Sequence, residues 1–198
     1  MKFLPAVALF AAAAAPALSA APVSWTIDPN HSAAQFAVRH LMVSTVRGEF
    51  SGVKGTIVID EQDPSRSSID ATIDATTINT RVVARDNDLK GASFFDVAKY
   101  PTITFKSSKI RGTGATTFVV EGDLTMHGMT RPVTLQVEAT AAVKDPRGNE
   151  RRGAEATTKV SRKDFGVTGS GGIVGDDVQI TLDIEAVHRA EAPPASGT

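Results

Sequence analysis

Long runs of two-residue alternation dominate this chain and leave little room for any fold but a sheet. Ile69, Ala71, Ile73 and Ala75 alternate with Asp70, Thr72, Asp74 and Thr76. Phe118, Val120, Gly122, Leu124 and Met126 alternate with Val119, Glu121, Asp123 and Thr125. The same rhythm holds over residues 133–143 and 178–186, with shorter stretches at 32–41, 50–60, 102–110 and 154–161. Successive side chains of a strand point to opposite faces, so each run has one apolar and one polar face. Such strands belong to a sheet that is wetted on one side only.

Turn chemistry separates the runs. Glu61-Gln62-Asp63-Pro64-Ser65, Arg111-Gly112-Thr113-Gly114, His127-Gly128-Met129-Thr130 and Asp145-Pro146-Arg147-Gly148-Asn149 supply the residues that hairpins need. Links this short make neighbours in sequence antiparallel neighbours in space. The exception is residues 82–98, where Val82, Val83 and Leu89 suit a short helix ended at Lys90-Gly91, followed by the bulky pair Phe94-Phe95. About eight strands with all apolar faces on one side leave two architectures, a sandwich or an up-and-down barrel. The barrel is favoured. Runs of ten to twelve residues are long for strands. The inward positions are often small, and an eight-stranded barrel has room for one small ligand.

The first residues read as an export signal. A basic start at Lys2 precedes an apolar, alanine-rich stretch, and Ser19-Ala20-Ala21 offers small residues for cleavage after Ala20 or Ala21. Residues 1–21 are therefore expected to be a signal peptide. Residues 22–189 form one domain, 190–198 a disordered tail, and the periplasm is the expected destination. No later stretch has the length of a transmembrane helix. The chain has no cysteine, so core burial and hydrogen-bond closure must hold it together. The 21 basic residues nearly balance 22 acidic ones, which leaves no basic excess for binding nucleic acid.

Several segments, in order, resemble the YceI-like family. They are Asp28-Pro29-Asn30-His31-Ser32, Phe36-Ala37-Val38-Arg39-His40, Gly48-Glu49-Phe50, Arg85-Asp86 with Leu89, and Phe94-Phe95-Asp96. Tyr100-Pro101 with Phe105, Gly122-Asp123-Leu124-Thr125 with Gly128, and Asp164-Phe165-Gly166-Val167 complete the set. The resemblance runs from about Trp25 to Val187. It implies an exported, lipocalin-like protein that binds polyisoprenoids or related long apolar lipids. One position departs: Asp88 stands where the family often has a histidine before the leucine, so no role of that histidine carries over.

On this reading the barrel holds an apolar lipid, an isoprenoid chain or quinone tail, with no covalent cofactor. The expected lining is Phe36, Val38, Ile57, Ile73, Ile103, Phe105, Phe118, Val120, Leu124, Leu135, Ile180 and Leu182. Phe94 and Phe95 are candidates for the mouth or lid. His40 shares its face with Ala34, Phe36 and Val38. Inside the barrel it either donates to a ligand's polar end or is satisfied by a neighbouring backbone group. Arg85 either reaches a ligand head group or takes part in helix-surface ion pairing, and Arg39 is expected on the outside.

Catalytic and metal-binding patterns are thin. His31, His40, His127 and His188 show no metal-ligand spacing. No Gly-x-Ser-x-Gly elbow occurs, and Asp164-Phe165-Gly166 lacks the other parts of a kinase signature. The glycines at 169, 171, 172 and 175 read as a flexible loop, with Asp176 and Asp177 solvated beside it. An enzyme or a stress-response accessory protein on the same fold stays open as the alternative. So does the choice between monomer and homodimer.

Overall fold

A computed structural model describes residues 21–189. The expected signal peptide, apart from Ala21, and the tail from residue 190 lie outside the described residues. The strands are β1 (Val23–Ile27), β2 (Ala33–His40), β3 (Ser44–Phe50), β4 (Lys54–Ile59), β5 (Ser68–Asp74) and β6 (Thr102–Gly112). They continue with β7 (Thr117–Met126), β8 (Met129–Ala139), β9 (Val143–Lys144), β10 (Glu150–Ser161) and β11 (Val174–His188). The helix α1 (Val83–Lys90) is shorter than the 82–98 insertion expected, and turns carry the rest.

All the strands join one antiparallel sheet, which closes where β10 meets β11. The result is an eight-stave barrel, because three staves are broken strands: β1 with β2, β3 with β4, and β8 with β9 along β10. β2 lies along β11 from Ala33 opposite Asp183 to His40 opposite Val174, and β1 continues on the same edge at Thr26–Val187 and Ile27–Ala186. β3 and β4 pair with β2 and β1 in the same way. The break between β1 and β2 is the Asp28–Ser32 turn, and its side chains replace the missing ladder. Ser32 Oγ donates to the Glu185 carbonyl at 3.3 Å and accepts from the Glu185 N–H at 3.0 Å. Asn30 N–H donates to Asp28 Oδ1 at 3.0 Å. The Asp28 N–H also donates to the Glu185 carbonyl at 2.8 Å, so the break stays tied to β11.

β7 and β8 meet through His127-Gly128, both with positive φ (52° and 72°), the backbone that two-residue hairpins adopt. β8 and β10 pair only from Gln136 opposite Thr157 to Ala139 opposite Ala154. Past Thr157 the two strands part. None of the described helices is long and apolar enough to cross a membrane.

A polar network binds the broken stave to the closing strands. Arg151 on β10 donates through Nη1 to Asp28 Oδ2 (3.2 Å) and to Glu185, and through Nε to Asp145 Oδ2 (3.1 Å). Asp145 also accepts from Asn149 Nδ2 and from the backbone N–H groups of Arg147 and Asn149. These donors, the Asn149 side chain foremost, hold the Asp145 carboxyl down at about 2. His31 bonds Asp28 at 3.0 Å and lowers its pKa as well.

Because Asp145 titrates lower in the folded chain than its ordinary 3.8, its stabilisation is complete above pH 4 and drains away as pH falls toward 2. Asp145→Asn is therefore expected to be less stable than the parent at neutral pH, with the difference vanishing near pH 2. Urea midpoints taken across that range check the expectation.

Candidate ligand-binding cavity

The inward faces of the staves do not meet in the middle. They enclose a cavity of about 210 Å³ that extends along the barrel, its wall almost wholly apolar. An apolar void of about 150 Å³ already stays dry and takes up small apolar molecules. The alternation that makes the strands also makes the wall. Phe36 and Val38 come from β2, Ile57 from β4, Ile73 from β5, and Ile103 with Phe105 from β6. Leu124 of β7, Leu135 of β8, and Ile180 with Leu182 of β11 complete the expected set that lines it.

Phe105 marks a step in the interior. Its ring lies over Gly122 of the neighbouring strand, where an added Cβ would come within 2.6 Å of the ring and 2.5 Å of the Lys106 carbonyl. Toward one end of the barrel Ile110, Val120, Leu135 and Ala156 pack together with Phe118 and Val137 against them, although Leu135, Val137 and Ala156 also border the cavity. Phe118 and Val120 are thus corrected. Both lie on the inner side of β7 but belong to this packed end, where Val120 is 1 % exposed, and not to the cavity wall.

The other end is closed by the segment after α1. Phe94 is buried, and Phe94, Phe95 and Leu89 all border the cavity. The rings of Phe95 and Phe50 meet edge-on at 5.3 Å, and Phe50 leans on Phe36 at 5.7 Å. Val82 and Val83, at the start of the helix, are exposed. α1 is held by polar contacts. Asp86 accepts from the Thr80 N–H (2.8 Å) and hydroxyl (2.5 Å), and the hydroxyl bond chiefly lowers its pKa. Arg85 donates to the Thr80 hydroxyl (2.7 Å) and carbonyl (2.8 Å). Arg85 therefore secures the helix start, and does not border the cavity or form an ion pair among the described residues.

His40 has the parity expected of it, but β2 ends there. It sits half-buried at the hairpin base opposite Ser44 and does not border the cavity, although its β11 partner Val174 does. Arg39 is exposed, as expected.

The residue that sequence reading missed is Arg162. It is 5 % exposed, borders the cavity, and points its guanidinium into the 167–175 loop. Nη1 donates to the carbonyls of Val167 (2.7 Å) and Gly169 (2.9 Å), Nε to Gly175 (3.0 Å), and Nη2 to Val174 (3.0 Å). The loop expected to be flexible is thereby pinned, and its Gly169 N–H reaches the Ser93 carbonyl at 2.8 Å, bracing Phe94. Asp176 and Asp177, expected to be simply solvated, contact Lys163 (2.7 Å) and Lys159 (2.5 Å). Asp164-Phe165-Gly166 is a single turn ended by left-handed Gly166, with Phe165 buried. Where β8 and β10 part, an outer groove shares Val133, Thr158 and Val160 with the cavity, and Phe165 fills its floor.

Asp28, His31 and Glu185 place three ligand-type atoms within 4.8 Å of one another, and Glu185 lies so far from the other two in sequence that spacing rules do not reveal the cluster. Arg151 bonds both carboxylates and supplies the positive charge that this cluster needs.

A YceI-like domain model matches residues 25–186 of the chain. The chain belongs to the YceI-like family. It is 34% identical over 173 residues to Protein YceI of Salmonella newport (strain SL254), covering 86% of this chain and 90% of that one. Among solved structures, Burkholderia cenocepacia BcnA superposes with a TM-score of 0.71 at 23% identity, over 80% of this YceI-like chain and 98% of BcnA. The Campylobacter jejuni YceI protein gives 0.68 at 28% identity, over 77% and 90%. A Saccharophagus degradans domain described as polyisoprenoid-binding gives 0.63 at 14% identity, over 83% and 98%.

Replacing Arg162 with Met removes every donor that the four loop carbonyls share, and is expected to cost about 3 kcal/mol. Urea unfolding measures the loss. Hydrogen exchange should quicken first in residues 166–175, ahead of the barrel strands.

Proposed function

We propose that this protein binds a long apolar lipid, an isoprenoid chain or quinone tail, within the barrel, and carries or sequesters it in the periplasm. The observation that carries the reading is the apolar cavity within the barrel itself. Protein interiors are otherwise packed to near crystal density, and a void leaves its lining without contact partners. A threaded hydrocarbon restores those contacts and contributes about 0.8 kcal/mol per buried methylene.

The cavity suits a chain better than a head group. Gln35, Thr158 and Arg162 are the polar residues among its lining, and the guanidinium of Arg162 is already engaged by four carbonyls. The Saccharophagus degradans domain shares the fold at low identity, so the case for this chain rests on its own cavity. The export signal read from residues 1–21 supports the periplasmic setting. Against the enzyme alternative, no paired acid and base face the void among the described residues.

Two measurements test the reading. Protein purified without detergent, denatured and extracted with organic solvent is expected to release an isoprenoid lipid identifiable by mass spectrometry. Val133→Trp places a large side chain in the cavity and is expected to lower uptake of added ubiquinone or polyprenol at least tenfold, at a stability cost of about 1–3 kcal/mol. Absence of lipid in the extract, together with no binding of either added ligand, would overturn the proposal.

A further inference from the structure

The β2–β3 hairpin ends in Leu41-Met42-Val43, whose residues are 57 %, 70 % and 78 % exposed. Ile173, 47 % exposed, joins them through a 2.7 Å bond from the Leu41 N–H to its carbonyl. Four apolar side chains thus form one knob at the same end of the barrel as Phe94 and Phe95. The backbone there is costly. Leu41 (φ 49°) and Met42 (φ 58°) both take the left-handed conformation, which large side chains avoid. The tight turn at residues 127–128 places a glycine at its second such position. Asn-Gly would give the same turn without strain. The chain instead accepts strain in order to hold two large apolar side chains in solvent, and strain of this kind concentrates at functional positions.

Charge surrounds the knob in a matching pattern. Arg39 is anchored at its base, donating to the Met42 carbonyl (2.6 Å) and the Thr45 hydroxyl (2.9 Å). Arg47 follows on the exposed face of the same hairpin. Neither forms an ion pair among the described residues. The nearby carboxylates of Asp176 and Asp177 are engaged by Lys163 and Lys159. Glu49, the hairpin's carboxylate, lies six residues from Val43, about 20 Å along an extended strand.

We propose that this hairpin tip docks the barrel on an anionic lipid bilayer. Interfacial anchors bury apolar groups about 5–10 Å into the headgroup boundary. That depth would bring Arg39 level with the phosphates while its stem stays in the apolar layer. The inference rests on the hairpin and not on what fills the cavity.

The test is flotation of the purified protein with isoprenoid-free vesicles, of phosphatidylcholine alone or mixed with phosphatidylglycerol. The double variant Leu41→Asn/Met42→Gly fits the left-handed turn. It is expected to melt at the same temperature or higher, yet to lose about tenfold or more in vesicle binding. Arg47→Gln is expected to weaken binding to the mixed vesicles and flatten its salt dependence, leaving phosphatidylcholine alone unaffected. The cavity variant Val133→Trp is expected to bind vesicles as the parent does, which separates docking from ligand uptake. Parent protein that ignores both vesicles would overturn the proposal, as would a double variant that binds undiminished. If the double substitution instead converts a dimer to a monomer by light scattering without changing vesicle binding, the knob is a self-association surface and the proposal fails.

Discussion

Everything in this molecule hangs on the ladder between β10 and β11, which turns a sheet into a tube. It runs for twelve residue pairs, from Ser161 opposite Asp177 to Glu150 opposite His188. β11 carries β10 on one edge and both halves of a broken stave on the other. A barrel with a void along its axis lacks the cohesion that a packed core provides, and no disulfide substitutes for it. Closure by backbone hydrogen bonds is what allows the interior to stay unfilled, and it also removes the sticky edges of an open sheet.

The wall was legible in the sequence because its physical cause is local. A period of two assigns each residue of β7, β8 and β11 to a face without reference to the rest of the chain. Depth along the axis is not local. Phe118, Val120 and Leu124 share a face, yet the first two belong to the packed end and the third to the cavity. His40 likewise has the expected parity yet does not border the cavity, because β2 ends there. Arg162 could not be read at all. Its burial arises because the 167–175 loop folds back and presents four carbonyls to one guanidinium, and nothing in a short window around Arg-Lys-Asp-Phe signals that. Arg85 and Asp86 look like an ion-pairing couple in sequence, but converge on Thr80, a residue before the helix begins.

Polar groups near the cavity are consistently turned to structural use. The Arg162 guanidinium, the Thr80 cluster at the start of α1 and the Ser32 bridge each satisfy backbone groups that irregular segments leave open. A wall built this way offers a guest shape and dispersion contact but few directional bonds. With the proposed lipid as guest, such a wall would discriminate by length and girth more than by functional group.

The parting of β8 and β10 bears on how anything gets in. Elsewhere around the ring, separating two staves breaks a continuous ladder, each bond contributing about 1 kcal/mol net. Beyond Thr157 no such rungs join these two strands, and buried Phe165 borders the groove there, carried on a turn whose carbonyl lies 3.1 Å from His127 Nδ1. One flank of the barrel is thus sealed by side chains and a turn, and the ladder that closes the ring takes no part in that seal.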